Sequence, residues 1–285
     1  MGDIRFRAHW PMPFRQLANG LGNVRWLRRI RRAVTRVTGI PVMASDVRDI
    51  GYASWVVPLR LVAHLVPRGV TLHVRDGKTI LTVLTYRHGH FGPAFLGPLR
   101  RIFPSPLQSN WRLYLHVPPE REGDEQDHNV LFLRNLFDSA LYALGTRIVT
   151  DVMASQHARP FLHRREGARL TTQLDNRDGA ALALEMAAAP PELPPEFETF
   201  FAGWDKAVAW LTLQDAAIAK VSDEDRLSIS AIDLPIDPAT IVPQRAAHFV
   251  PGELLTRWGA TGAPFCFFVP EVHFRALSDR LLPRD

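Results

Sequence analysis

Gln108-Ser109-Asn110-Trp111-Arg112-Leu113-Tyr114-Leu115 is the stretch on which the reading of this 285-residue chain turns. A strand sends successive side chains to opposite faces, so Trp111, Leu113 and Leu115 share one side and Asn110, Arg112 and Tyr114 the other. The first side is apolar and calls for a core contact. The second sets an amide, a guanidinium and a phenol in a row, a combination suited to holding a small anion. A guanidinium fork matches a carboxylate through two parallel hydrogen bonds, which a point charge cannot do.

Outward from this strand, predicted over 109–117, the pattern is mainly β. Residues 87–106 before it are too rich in glycine and proline for regular structure. Residues 118–128 after it read as an exposed acidic loop, and 129–136 as the returning strand. Asp76-Gly77, between Val70–Val74 and Thr79–Tyr86, is a hairpin turn. Val47 to Trp55 reads as a strand. Pro58 at a first helical position opens a short helix over 59–66, stopped by Pro67 and Gly69. Asp138 is placed to cap a helix reaching about Leu144. Three strands fill 152–188, with turns at 164–167 and 175–179. The proline-rich connector 190–195 reads as a surface loop within one domain rather than a boundary. A helix near 196–203, β segments near 208–220 and 226–234, a helix near 251–258 and an apolar strand at 264–269 complete the chain; the segment 208–220 reads equally as helix. Many strands with few short helices predict an α+β fold with a mostly antiparallel sheet closing on itself.

Residues 1–41 form an N-terminal extension, and 42–285 the main domain. Residues 1–21 read as irregular. Val24, Leu27, Ile30, Val34 and Val37 then recur at helical spacing up to Gly39 and Pro41. The opposite face carries Arg25, Arg28, Arg29, Arg31, Arg32 and Arg36 and reads as solvated, with an acidic partner, a membrane surface or nucleic acid as the alternative. The apolar stripe is narrow, so the extension is expected to be dispensable for folding of the rest.

Composition narrows the function classes. The chain is 46% hydrophobic and 22% charged, ordinary for a globular protein with a core. No apolar run reaches a membrane-spanning length, the start lacks a secretory pattern, and a cytoplasmic location is expected. The single cysteine, Cys266, excludes an internal disulfide and a cysteine-rich metal site, and its phenylalanine neighbours mark it as packing. The net charge of +5 rests on arginine, since only Lys78, Lys206 and Lys220 are lysines among 34 basic residues.

Each candidate side chain has two readings. Arg112 binds a ligand carboxylate or phosphate, or it pairs with an internal acid such as Glu185. Asn110 orients a ligand or satisfies buried backbone; Tyr114 lines a pocket or packs in the core. Tyr86 shares a face with His88 and His90. Metal is not expected, because no histidine spacing here matches a metal motif. His157 is a general base poised near neutral pH or a structural histidine. Arg147 is a fixed positive charge or complements a helix C-terminus. No phosphate-cradling loop or nucleophile elbow occurs, no cofactor is expected, and no nucleic-acid partner is expected.

Trp55-Val56-Val57-Pro58 with Leu65-Val66-Pro67-Arg68-Gly69-Val70 resembles the opening of the uncharacterised YqjF-like bacterial family, of the acetoacetate decarboxylase-like superfamily. Asn110-Trp111-Arg112-Leu113-Tyr114-Leu115 resembles its "E-x-N-x-R-x-Y-V" strand, and Phe268 to Phe274 is similar to its last strand. The likeness covers roughly residues 45–277. It implies a cone-like, largely antiparallel β-barrel with a central small-molecule pocket. Two departures stand out. Gln108 replaces the family's glutamate, which puts acid–base use of that position in doubt. Acetoacetate decarboxylases form a Schiff base through adjacent lysines after a Gly-x-Pro turn, whereas the nearest match here is Gly145-Thr146-Arg147-Ile148. An arginine keeps its proton and cannot be the amine nucleophile.

The expectation is therefore an α+β, acetoacetate decarboxylase-like barrel that binds a small anionic, carboxylate-type molecule through Arg112, Asn110, Gln108, Tyr114 and Tyr86. His157 and Arg147 are the weaker catalytic candidates. Turnover stays open; if present, it is a lyase, isomerase or hydrolase type of reaction on a small organic acid without an imine. The alternative is a non-enzymatic binding or interaction protein acting through the basic helix, and self-association stays open.

Overall fold

The computed structural model describes residues 5–116, 128–221 and 223–282. The expected acidic loop at 118–128 therefore lies almost wholly outside the described residues. The main strands are β1 (Met43–Pro58), β2 (Val74–Arg75), β3 (Lys78–Arg87), β4 (Gly92–Pro93), β5 (Leu107–Tyr114) and β6 (Asn129–Phe137) in the first half. They continue as β7 (Gln156–His157), β8 (Phe161–Glu166), β9 (Arg169–Asp175) and β10 (Ala181–Ala188). The last are β11 (Ala216–Lys220), β12 (Leu227–Asp233), β13 (Val242–Pro251), β14 (Phe265–Ala276) and β15 (Arg280–Leu281). Among the described residues six α-helices accompany them: α1 (Phe14–Asn23), α2 (Arg25–Thr38), α3 (Leu59–Val62), α4 (Ala140–Val149), α5 (Trp204–Thr212) and α6 (Glu253–Arg257).

The sheet closes on itself. Along the order β12-β11-β6-β5-β3-β1-β14, every neighbour pair is hydrogen-bonded, and β14 returns to β12 through Ile232↔Ala276 and Asp233↔Arg275. All these pairings are antiparallel except β11 on β6, giving the α+β, mostly antiparallel, ring-bonded sheet expected. From β14 the sheet runs on through β13, β10, β9 and β8. The β2–β3 hairpin turns where anticipated, with positive φ at both Asp76 and Gly77, the backbone that a two-residue turn between twisted strands demands.

All eight residues of β5 are buried, and its two faces serve different layers. Trp111 and Leu113 join the outer core with Trp258, Leu170, Leu184 and Phe268, beneath the extra strands. Tyr114 joins the inner core with Ile50, Tyr52, Leu84 and Phe267. The polar face of β5 is thus turned into the ring and not to water. Gly51 lets the layers approach, since a Cβ there would lie 2.7 Å from Leu170 Cδ2.

Several local expectations are corrected. Residues within 1–21 are not all irregular, because α1 begins at Phe14. Ser139, not Asp138, caps α4 by accepting from the Tyr142 amide, while Asp138 accepts from the Leu107 amide at 2.9 Å. The short helix expected after Pro58 is present as α3 and a following 3-10 turn, Ala63–Leu65, with Pro58 at the N-cap as the last residue of β1 rather than at the first helical position. The ambiguous segment 208–220 divides, its first residues ending α5 at Thr212 and its last forming β11. Strand β13, whose burial is irregular, had no clear alternation to announce it.

The larger correction concerns α2. Ile30, Val34 and Val37 are exposed, whereas Arg28 and Arg32 are buried. The Arg32 guanidinium contacts Asp151 (2.9 and 2.7 Å), Asp223 (2.7 and 3.3 Å) and Glu224 (2.6 Å). Arg31 reaches Asp151 at 2.6 Å and Arg28 reaches Asp223 at 3.6 Å. Buried acids drew the charged face inward, against the usual rule for amphipathic helices. The extension also supplies Phe6, Ala8 and Ala18 to a cluster with Phe137, Ala140 and Ala143. Its removal would uncover that cluster and strand Asp151 and Asp223, so the geometry speaks against its being dispensable.

Candidate functional site

The ring encloses a cavity of about 420 Å³ between the polar face of β5 and helix α4. Gln108, Asn110 and Arg112 line it from β5, Tyr52 from β1, Tyr86 from β3, and Gln214 from the α5–β11 connection. Most of the remaining wall is apolar, including Ile50, Leu84, Phe132, Val272 and Phe274. Leu141 and Val149 of α4 line it while remaining exposed, which places the mouth beside that helix.

Arg112 is buried at 1% exposure and faces no acid within ion-pair distance among the described residues. Glu185, its sequence-suggested alternative partner, sits on Arg169 at 2.6 Å instead. The Arg112 Nη1 donates to Gln214 Oε1. Its Nη2 donates to the Leu211 carbonyl at 2.9 Å and to the Tyr114 hydroxyl at 3.2 Å. The guanidinium carbon lies 5.2 Å from the Tyr114 ring centre and 5.6 Å from that of Tyr52, within cation–π range. Burial works against this charge, but the phenols of Tyr114 and Tyr52 outweigh it and hold the group above its ordinary value. Nε, a strong donor, makes no hydrogen bond among the described residues. Neutral contacts therefore carry a buried cation with donor capacity left over.

Asn110 and Gln108 are held by a chain of hydrogen bonds. Asn110 Nδ2 donates to Asn135 Oδ1 at 2.7 Å and Gln108 Nε2 donates to the same oxygen at 3.2 Å. Gln108 Oε1 thus accepts from His88 Nε2 at 2.7 Å, and His88 Nδ1 accepts from Ser45 Oγ at 2.8 Å. With Nε2 donating and Nδ1 accepting, the imidazole is neutral. Burial lowers the His88 pKa to about 4, and the Gln108 contact only partly opposes this. A carboxylate at 108 would favour a protonated His88 more strongly than the amide does. Among the described residues, Asn110 Oδ1 also makes no hydrogen bond, an acceptor on the same strand face as the Arg112 Nε donor.

The phenols are held protonated. Burial pushes Tyr52 up to about 12 against the opposing charge of Arg112, and burial likewise raises Tyr86. Tyr114 does not appear in the cavity wall; its hydroxyl donates to the Leu211 carbonyl at 2.9 Å and supports Arg112 from behind.

The other sequence candidates lie elsewhere. Arg147 is buried on α4 but outside the cavity wall, donating to the Gly22 carbonyl at 2.9 Å and so tying α1 to the ring. His157, on β7, accepts from the His9 amide at 3.0 Å and donates to the Asp138 carbonyl at 3.1 Å; burial lowers it to about 4. Neither reaches Arg112. His163 is engaged by Thr172 and the Asp49 carbonyl, and among the described residues no three metal-ligating side chains cluster. The Cys266 thiol is buried, and burial pushes it up. Lys78, Lys206 and Lys220 are exposed and absent from the cavity wall.

Sequence reasoning missed Tyr52, Asn135 and Gln214. Asn135 stood out as the amide in an apolar strand, Leu131 to Phe137, and could have been found. Gln214, far along the chain between α5 and β11, carried no local signal.

Comparison with known proteins agrees with the topology. Residues 45–217, more than half the chain, match the DUF2071 family, described as an uncharacterized conserved protein. No curated protein sequence matches. Among solved structures, the acetoacetate decarboxylase of Legionella pneumophila is similar at 9% identity and TM-score 0.56, covering 85% of this chain and 87% of that one. An acetoacetate decarboxylase-like enzyme from Sphingomonas wittichii is similar at 12% identity and TM-score 0.56, covering 86% and 94%. The enduracididine biosynthesis enzyme MppR, complexed with pyruvate, is similar at 14% identity and TM-score 0.56, covering 85% and 90%. At such identities the likeness concerns the fold alone.

Proposed function

We propose, from the premise that this chain belongs to the DUF2071 family, that its cavity binds a small organic acid with an apolar body. The carboxylate lies on Arg112, with Asn110, Gln108 and the Tyr86 phenol as polar neighbours, and the apolar part lies against Ile50, Leu84 and Phe132. Residues 1–41 are the extension that closes one side of this domain, and 42–285 form the domain itself.

One observation carries the reading: a buried guanidinium that, among the described residues, faces no acid and whose Nε makes no hydrogen bond. Desolvating a cation costs several kcal/mol, roughly, unless an opposite charge arrives, and an anionic ligand supplies it. Pyruvate bound to MppR is a carboxylate in a protein of this fold. With no lysine in the wall, an imine is not part of the chemistry proposed. The protonated phenols could still polarise a bound carbonyl without covalent attachment.

Thermal-shift and calorimetric titration with pyruvate, butyrate and hexanoate test this. Binding should raise the melting temperature by mass action. Arg112→Lys keeps a charge but loses the fork, and should weaken carboxylate binding roughly tenfold or more. No stabilisation by any of the three acids, or equal affinity in Arg112→Lys, refutes the site.

A further inference from the structure

The outward face of α2 is apolar, and among the described residues nothing covers it. Trp26, Ile30, Val34 and Val37 are 59%, 54%, 53% and 88% exposed. At about 100° per residue they fall within one narrow arc of the helix. Arg25 and Arg29 are exposed at one edge of that arc, and among the described residues neither has an acid within ion-pair distance. The helix cannot turn over to hide the stripe, because Arg28, Arg31 and Arg32 on its opposite face are held by Asp151, Asp223 and Glu224.

We propose that this face docks on an anionic phospholipid bilayer, with Trp26, Ile30, Val34 and Val37 seated at the hydrocarbon boundary and Arg25 and Arg29 on lipid phosphates. Apolar side chains including tryptophan, bordered by arginines, form the pattern of helices that lie in the membrane interface. Charge decides the occupant. No acidic residue occurs between Asp3 and Asp46, so a second copy of this helix offers its arginines no partner. Lipid phosphate does. Nucleic acid would meet the arginines but leave the apolar stripe in water.

The surface continues toward the cavity. Val37 just precedes Ile40, and the exposed Ile102 just precedes Phe103; Ile40 and Phe103 both line the cavity, as does exposed Leu141. Docking would therefore set the mouth at the bilayer. The proposal does not depend on what the cavity holds.

Flotation of the full-length protein with vesicles tests it, using phosphatidylcholine alone and phosphatidylcholine mixed with phosphatidylglycerol. Binding to the mixed vesicles should exceed binding to the neutral ones roughly tenfold or more, and should weaken as salt rises. Trp26→Gln combined with Ile30→Gln and Val34→Gln should abolish flotation without lowering the melting temperature, since all three side chains are exposed. Arg25→Gln with Arg29→Gln should remove the preference for anionic vesicles. Failure of the wild type to float with anionic vesicles overturns the proposal. So does undiminished flotation of the apolar-face variant, or a wild-type dimer in sedimentation that this variant dissolves, which would identify a second copy as the occupant.

Discussion

Replacing Arg32 by methionine probes the inverted packing of α2 most directly. Arg32 donates to both oxygens of Asp151 and both oxygens of Asp223, and also to Glu224. The Asp151 and Asp223 side chains are only 4% and 1% exposed. Burial alone would raise the Asp151 carboxyl, but the hydrogen bonds and charges of Arg32 and Arg31 outweigh it and hold that group below its usual value. Removing one member of a buried ion pair costs about 3–5 kcal/mol, because the survivor stays buried and charged. Arg31 remains on Asp151 and Arg28 near Asp223, which favours the low end, about 3 kcal/mol. For a chain of this size that corresponds to a fall in melting temperature of roughly 5–10 °C. Thermal and urea unfolding followed by circular dichroism provide the assay. Arg29→Met on the same helix is the control, since Arg29 is exposed; it should change stability by less than about 0.5 kcal/mol. Arg32→Lys should fall between, keeping charge without the fork. Equal effects of Arg32→Met and Arg29→Met would mean that the charged face is not packed inward, and the reasoning would fail.

Two further outcomes follow from the same geometry. His88 and His163 are buried and held near a pKa of about 4, against 6.5 when exposed, chiefly by burial. The unfolded chain therefore binds more protons, and stability should fall as pH drops from about 6.5 toward 4, by about 2 kcal/mol per histidine at about pH 5. Melts at about pH 7 and about pH 5 should show this, with a smaller drop in His163→Gln; an unchanged wild-type midpoint would contradict it. Borohydride treatment with acetoacetate should leave the protein mass unchanged, because no lysine lines the cavity. A covalent adduct on Lys78, Lys206 or Lys220 would reverse that conclusion.

Strand alternation around Arg112, the Asp76-Gly77 turn and the ordered motifs from Trp55 to Phe274 were legible because they depend on neighbours along the chain. Backbone geometry imposes period two on a strand and positive φ on a tight turn whatever surrounds them. Those features by themselves determined an α+β, mostly antiparallel fold and singled out the face bearing Asn110, Arg112 and Tyr114. They did not decide whether Arg112 meets an acid. That required Glu185 to be taken by Arg169 and Gln214 and Leu211 to arrive from about a hundred positions away. Nor could periodicity tell which side of α2 is covered. A helical pattern separates two faces; it does not name the partner. Asp151 and Asp223, distant in the chain, buried the arginines and left Trp26, Ile30, Val34 and Val37 outside. The arginines of α2 are buried because opposite charges meet them there, and only the tertiary structure brings the two together.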